Sequence, residues 1–115
     1  MMQAGRELDV KVAEALGYEV GKFPPDYYIV VDGEIQMLPY YSTLWRDTGV
    51  LVEEAKKQGI YLEYSHSLNG GYYGGAYSFD DGEYQMEHTT EQAVPTAPYA
   101  VALVYLMARG VISHA

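Results

Sequence analysis

The stretch from Ile60 to His88 constrains the fold most, because it carries two hairpin signals inside an alternating apolar and polar pattern. Asn69-Gly70 and Asp81-Gly82 are dipeptides favoured in two-residue hairpin turns, where both central residues must tolerate positive φ. Closing the chain at those turns predicts three antiparallel strands, with Ile60 opposite Phe79 and then Tyr84, Leu62 opposite Tyr77 and Met86, and Tyr64 opposite Gly75 and His88. One face then collects Ile60, Leu62, Tyr64, Tyr73, Tyr77, Phe79, Tyr84 and Met86. The other holds Tyr61, Glu63, Ser65, Gly74, Ala76, Ser78, Glu83, Gln85 and Glu87, so one register sorts all three strands into an apolar and a polar side. On that second face Gly74, Ala76 and Ser78 leave a trough for a ligand or for a packed helix.

The flanking segments supply helices and a shorter hairpin. Arg6 to Leu16 places Leu8, Val12, Ala13 and Leu16 at helical spacing, with Gly17 as the stop. Tyr18 to Pro25 reads as a connector, since Gly21 and Pro24-Pro25 resist both helix and sheet ladder. Tyr27 to Val31, the turn Asp32-Gly33 and Glu34 to Leu38 form the hairpin. A second helix follows with Ser42 as its N-cap, a stripe of Leu44, Thr48, Leu51 and Ala55, Gly49 weakening its middle, and Gly59 ending it. Thr96 caps a last helix, Ala97 to Arg109, which is apolar nearly all round and so predicts burial on more than one side. The sum is one domain over residues 1–115, α+β in class: helix, β-hairpin, helix, three-stranded antiparallel meander and helix in a layered sandwich. Self-association through the apolar last helix or the tyrosine-rich sheet is expected.

Composition excludes several classes of function. The formal charge is −9, from 16 acidic against 7 basic residues, so a nucleic-acid polymer meets net repulsion. There is no cysteine, hence no disulfide, no thiolate nucleophile and no cysteine metal site, in keeping with a reducing cytoplasm. No apolar run approaches about 18 residues and the start lacks the order of a signal peptide, so neither membrane span nor export is expected.

Catalytic and metal signatures are weak. His66 and His88 fall on the two outer strands, about 9 to 10 Å apart by strand spacing, too far to share a metal. Glu63 and Glu87 point to one face, but a solvated face does not raise a carboxyl into the range of a general acid. Asp80 and Asp81 are turn residues, and Asn69 to Gly75 has neither dinucleotide nor P-loop spacing. No catalytic residue, metal or cofactor is therefore expected. The 13 tyrosines carry the remaining signal, each an apolar ring with a polar tip suited to stacking or to an interface. Tyr40, Tyr41, Ser42 and Thr43 stand at a helix start, where free N–H groups favour an anion, with Arg46 one turn in. With Tyr72 and Tyr73 as stacking rings, these residues form the expected ligand site for a small nucleotide.

Arg6-Glu7-Leu8-Asp9, Val12-Ala13-Glu14, Asp32-Gly33-Glu34, Leu38-Pro39-Tyr40-Tyr41-Ser42-Thr43, Leu51-Val52-Glu53-Glu54 and Thr96-Ala97-Pro98, with Ala100, Ala102 and Leu103, carry a resemblance. In their order and junctions they resemble the phage ABA sandwich family, small proteins of bacteriophages and prophages. Leu44 to Gly49 departs from the family's acidic, small-residue start of the second helix. The resemblance implies a phage origin and the cytoplasm of an infected bacterium, and brings no catalytic residue with it. The expected function is a non-enzymatic accessory protein that sequesters a nucleotide-type immune signal of the host. The alternative is an acidic adaptor that binds and inhibits a host protein.

Overall fold

The computed structural model describes residues 1–115 apart from the side chains of Asp80 and Met86; the expected places of those two side chains, in the turn and on the apolar sheet face, lie outside it. The elements are α1 (Arg6–Ala15), β1 (Glu19–Phe23), β2 (Asp26–Val31), β3 (Glu34–Met37), α2 (Trp45–Lys57), β4 (Tyr61–His66), β5 (Tyr72–Asp80), β6 (Glu83–Thr89) and α3 (Ala97–Ala108). They build two antiparallel three-stranded sheets, β1-β2-β3 and β4-β5-β6, in the α+β class that the sequence predicts. The first sheet packs on α1 and the second on α3, while α3 also touches α1 and α2. The apolar run of α3 explains this centre: every residue from Ala97 to Met107 is buried. Because α1, α2 and the second sheet cover it, α3 offers no surface for self-association, contrary to the expectation from its composition.

Three junctions follow the sequence closely. Asp32-Gly33 and Asp81-Gly82 turn with both residues at positive φ, 50° and 81° in the first and 50° and 82° in the second. Thr96 caps α3, its side chain accepting the Tyr99 N–H at 3.3 Å. Two other junctions depart. Tyr18 to Pro25 is no connector, because Glu19–Phe23 is strand β1 and pairs with β2 from Glu19 opposite Val30 to Phe23 opposite Asp26. Gly21 is compatible with that ladder because the Tyr28 ring lies over it, in the space where a Cβ would be. The Pro24–Pro25 bond, in the turn, is cis.

The larger departure is the register of β4 against β5. Leu62 stands opposite Ala76 and Tyr61 opposite Tyr77, one residue away from the expected pairing. The reason lies in the connection, which spans Ser67 to Gly71 and closes with the Ser67 N–H on the Gly71 carbonyl at 3.0 Å. Gly70 and Gly71 both take positive φ, 93° and 87°, so Gly71 joins the turn and leaves the strand. A slip of one residue reverses every side chain of β5. Gly74 and Ala76 now face α3, while Tyr77 and Phe79 face away from it. β5 and β6 pair as expected from Phe79 opposite Tyr84, until a bulge between Ala76 and Tyr77 sets His88 opposite Ala76.

Arg6 binds the first sheet to the helices. Its guanidinium lies 2.8 Å from Asp26 and 3.0 Å from Asp9, donates to the carbonyls of Leu38 at 2.7 Å and Pro39 at 3.1 Å, and sits 3.8 Å over the Tyr40 ring. Asp9 is fully buried, and burial pushes its carboxyl above the usual range despite bonds from Ser42 and Arg6. The bond that Asp26 accepts from the Tyr27 N–H, followed by that from Arg6, holds its carboxyl low.

Two phenols tie α2 to its neighbours: Tyr18 donates to Glu54 of α2, and Tyr105 of α3 donates to Gln58 at 2.6 Å. The first is pushed up to about 12 by that hydrogen bond and then by burial, and the second to about 12 by burial. Unfolded phenols ionise near pH 10. Stability fully present below about pH 10 should therefore be lost as pH rises from there through about 12. Thermal melts recorded beside the phenolate absorbance check this; unchanged stability across that window contradicts it.

Candidate functional site

The start of α2 is not built as an anion site. The helix begins at Trp45, with Leu44 in the N-cap position and no side-chain cap. Ser42, the expected cap, is instead buried: its N–H and hydroxyl both donate to Asp9, at 2.9 and 2.7 Å, and its oxygen accepts the Gly5 N–H at 2.9 Å. A buried carboxylate outcompetes the local capping role of a serine. The Tyr40 N–H donates to Asp47 at 2.7 Å, and the Thr43 and Leu44 N–H groups donate to the Tyr40 carbonyl. The chain's own carboxylates thus fill the place predicted for a phosphate, with Asp47 in the first turn where the helix dipole favours an anion.

The predicted set is divided in space. Tyr41 is a core residue, 1% exposed, and burial holds its phenol far above the ordinary range. Tyr41 and Ser42 are therefore unavailable to a ligand, which corrects their assignment. Tyr40 is half-buried under Arg6, Thr43 is exposed, and the Arg46 side chain is 80% exposed, its Nε 3.3 Å from Asp47. Tyr72 bridges its backbone to Val94 and stacks on His66 at 5.0 Å, while Tyr73, next along β5, points to the opposite face. Glu63 and Glu87 are also separated: Glu63 accepts the Tyr77 phenol and Glu87 the Ser78 hydroxyl, each at 2.6 Å, and adjacent strand residues point to opposite faces. A two-carboxylate centre is thereby removed. Among the described residues no three His, Asp or Glu side chains converge as a metal site.

What the fold does build is a groove between α2, β4 and α3. It holds about 380 Å³ and is lined by Trp45, Thr48, Gly49 and Val52 of α2, by Leu62, Glu63 and Tyr64 of β4, and by Val101 of α3. Trp45, the single tryptophan, stands edge-on to Tyr64 with centroids 5.3 Å apart, and the two are 57% and 42% exposed. Through Tyr64 the ring series continues to Tyr72 at 5.8 Å. Gly49 opens the wall, since a Cβ there meets nothing within 4 Å. The Thr48 hydroxyl is spent on the Tyr41 carbonyl at 2.9 Å, so the lining is mainly apolar. Size and lining match those of small-molecule sites, which run from roughly 300 to 1,000 Å³.

Gly49 was legible as a weak point of α2, but its place on a groove depends on how α2 docks beside β4, which no local pattern encodes. Gly49→Ala should stabilise the fold by about 1 kcal/mol, because it removes glycine's helix penalty and meets no neighbour. A chemical-denaturation curve checks this; a loss of stability contradicts the open wall. No family model, curated protein or solved structure matches the chain. No helix among the described residues is long and apolar enough to cross a membrane.

Proposed function

We propose that this chain is a non-enzymatic binding protein that holds a small planar-ring ligand in the groove between α2 and β4. The observation that carries the reading is the exposed Trp45–Tyr64 pair standing over apolar space at Gly49. A flat ring gains from such a frame through apolar burial and edge-to-face contact. A nucleotide-type ligand would put its base in the groove and extend its phosphate toward Arg46, which follows Trp45 on α2 outside the groove lining. The resemblance to phage ABA sandwich proteins supports a setting in an infected bacterium, where the proposed use is to hold a nucleotide-type host immune signal out of reach.

A thermal-shift screen of the purified chain against cyclic and ADP-ribose-type nucleotides tests the reading. A ligand at about 100 times its Kd stabilises by about 2.7 kcal/mol, a shift of several degrees in a domain this size. Arg46→Ala should weaken the hit by about tenfold, the loss of one charge-assisted contact. Binding that survives Gly49→Leu undiminished would move the site elsewhere.

A further inference from the structure

The face of the second sheet turned away from α3 carries four rings in mutual contact. Tyr61 lies 5.2 Å from Phe79 and 5.6 Å from Tyr84, and Tyr84 lies 4.7 Å from Tyr77 and 4.9 Å from Phe79. Phe79 and Tyr84 are 54% and 50% exposed, Tyr61 and Tyr77 are half-buried, and Val52, Glu53 and Lys56 of α2 flank Tyr61 and Tyr84. Glu63 stands among them, one oxygen accepting the Tyr77 phenol at 2.6 Å. Among the described residues its second oxygen takes no hydrogen bond, and its charge acts on both Tyr77 and Tyr84. Charge is segregated on the same scale. Between Lys57 and Arg109 there is no lysine or arginine, against the acids Glu63, Asp80, Asp81, Glu83, Glu87 and Glu91, and Lys56 of α2 stands at the edge of the face beside Tyr61 and Tyr84.

We infer that this face binds an arginine-bearing segment of a basic protein partner, a guanidinium resting on the rings and donating to Glu63. A second copy of the chain is a poor occupant, since it would bring two bodies of charge −9 together across the acidic sheet. An anion is repelled for the same reason. A guanidinium gains twice: its plane stacks on ring faces, and its fork matches a carboxylate. Lysine offers a point charge and less of both. The ring face meets the α2 groove at Glu63, which borders both, but its rings lie across the sheet from Tyr64, and the nucleotide reading is not needed for it.

The test is calorimetric titration of the full chain with octa-arginine and octa-lysine peptides at physiological salt, with solution mass read alongside. Octa-arginine should bind more tightly than octa-lysine. Glu63→Gln, nearly isosteric, should weaken octa-arginine by roughly tenfold, as expected for a lost charge-assisted bond. Tyr84→Ser should weaken it by roughly two- to fivefold. Glu14→Gln, an exposed acid on α1, which makes no contact with this sheet, should leave it within about twofold, the scale of a surface charge. Equal losses in all three variants, or equal affinity for both peptides, mean bulk charge attraction and overturn the proposal. So does a wild-type dimer that Tyr84→Ser dissociates, which makes the occupant a second copy.

Discussion

Replacing Arg6 with Ala should cost about 3–5 kcal/mol of folding stability, the usual penalty for breaking a buried ion pair from one side. The substitution leaves Asp9, fully buried, without its cation and strips donors from the Leu38 and Pro39 carbonyls. It also frees the Tyr40 ring that the guanidinium covers. For a domain whose total stability is of order 5–15 kcal/mol, much of the fold is at stake. Arg6→Lys should recover only part, because an ammonium cannot reach two carboxylates and two carbonyls in one plane. Urea denaturation measures both variants. A loss under about 1 kcal/mol, the scale of a surface pair, would remove Arg6 from its central place.

Gly74→Ala should destabilise by about 3 kcal/mol, at the upper end of ordinary overpacking. A Cβ at Gly74 runs into the Ala100 carbonyl of α3 and lies 3.0 Å from the Val104 Cβ. Neither neighbour is the free end of a flexible side chain, so α3 must lift from the sheet. The contrast with Gly49→Ala is the useful part: the same added methyl group raises stability where the wall is open and lowers it where a helix backbone is pressed against the strand. A neutral Gly74→Ala would mean that α3 and β5 are not in close contact.

Gly74 also marks how far the sequence could be read. Asp32-Gly33 and Asp81-Gly82 placed their turns correctly because each dipeptide supplies both left-handed residues and the next residue competes for neither role. At Asn69-Gly70 the following Gly71 also accepts positive φ, so local chemistry left two registers open. Packing chose between them, since α3 can press against Gly74 and Ala76, whereas the other register turns Tyr73 and Tyr77 toward it. The register that looked best by apolar sorting therefore put the rings of β5 on the wrong side. Ser42 failed as a cap for a related reason: its partner, Asp9, lies 33 residues away in sequence. Strand β1 was hidden because Gly21 and the prolines look like breakers until the Tyr28 ring is seen to fill the glycine's space. The groove was least legible, because it belongs to the docking of α2 beside β4. Helical spacing puts Trp45 and Gly49 on one face of α2, yet nothing local showed that this face borders a groove.

The most direct measurement of the proposed binding is the emission of Trp45, the only tryptophan in the chain, during titration with cyclic and ADP-ribose-type nucleotides. A ligand ring seated in the groove should change that emission saturably in the wild type, and Gly49→Leu should abolish the change while the protein still melts cooperatively. If a nucleotide raises the melting temperature while Trp45 emission stays constant, or if Gly49→Leu binds as the wild type does, the groove is not the ligand site.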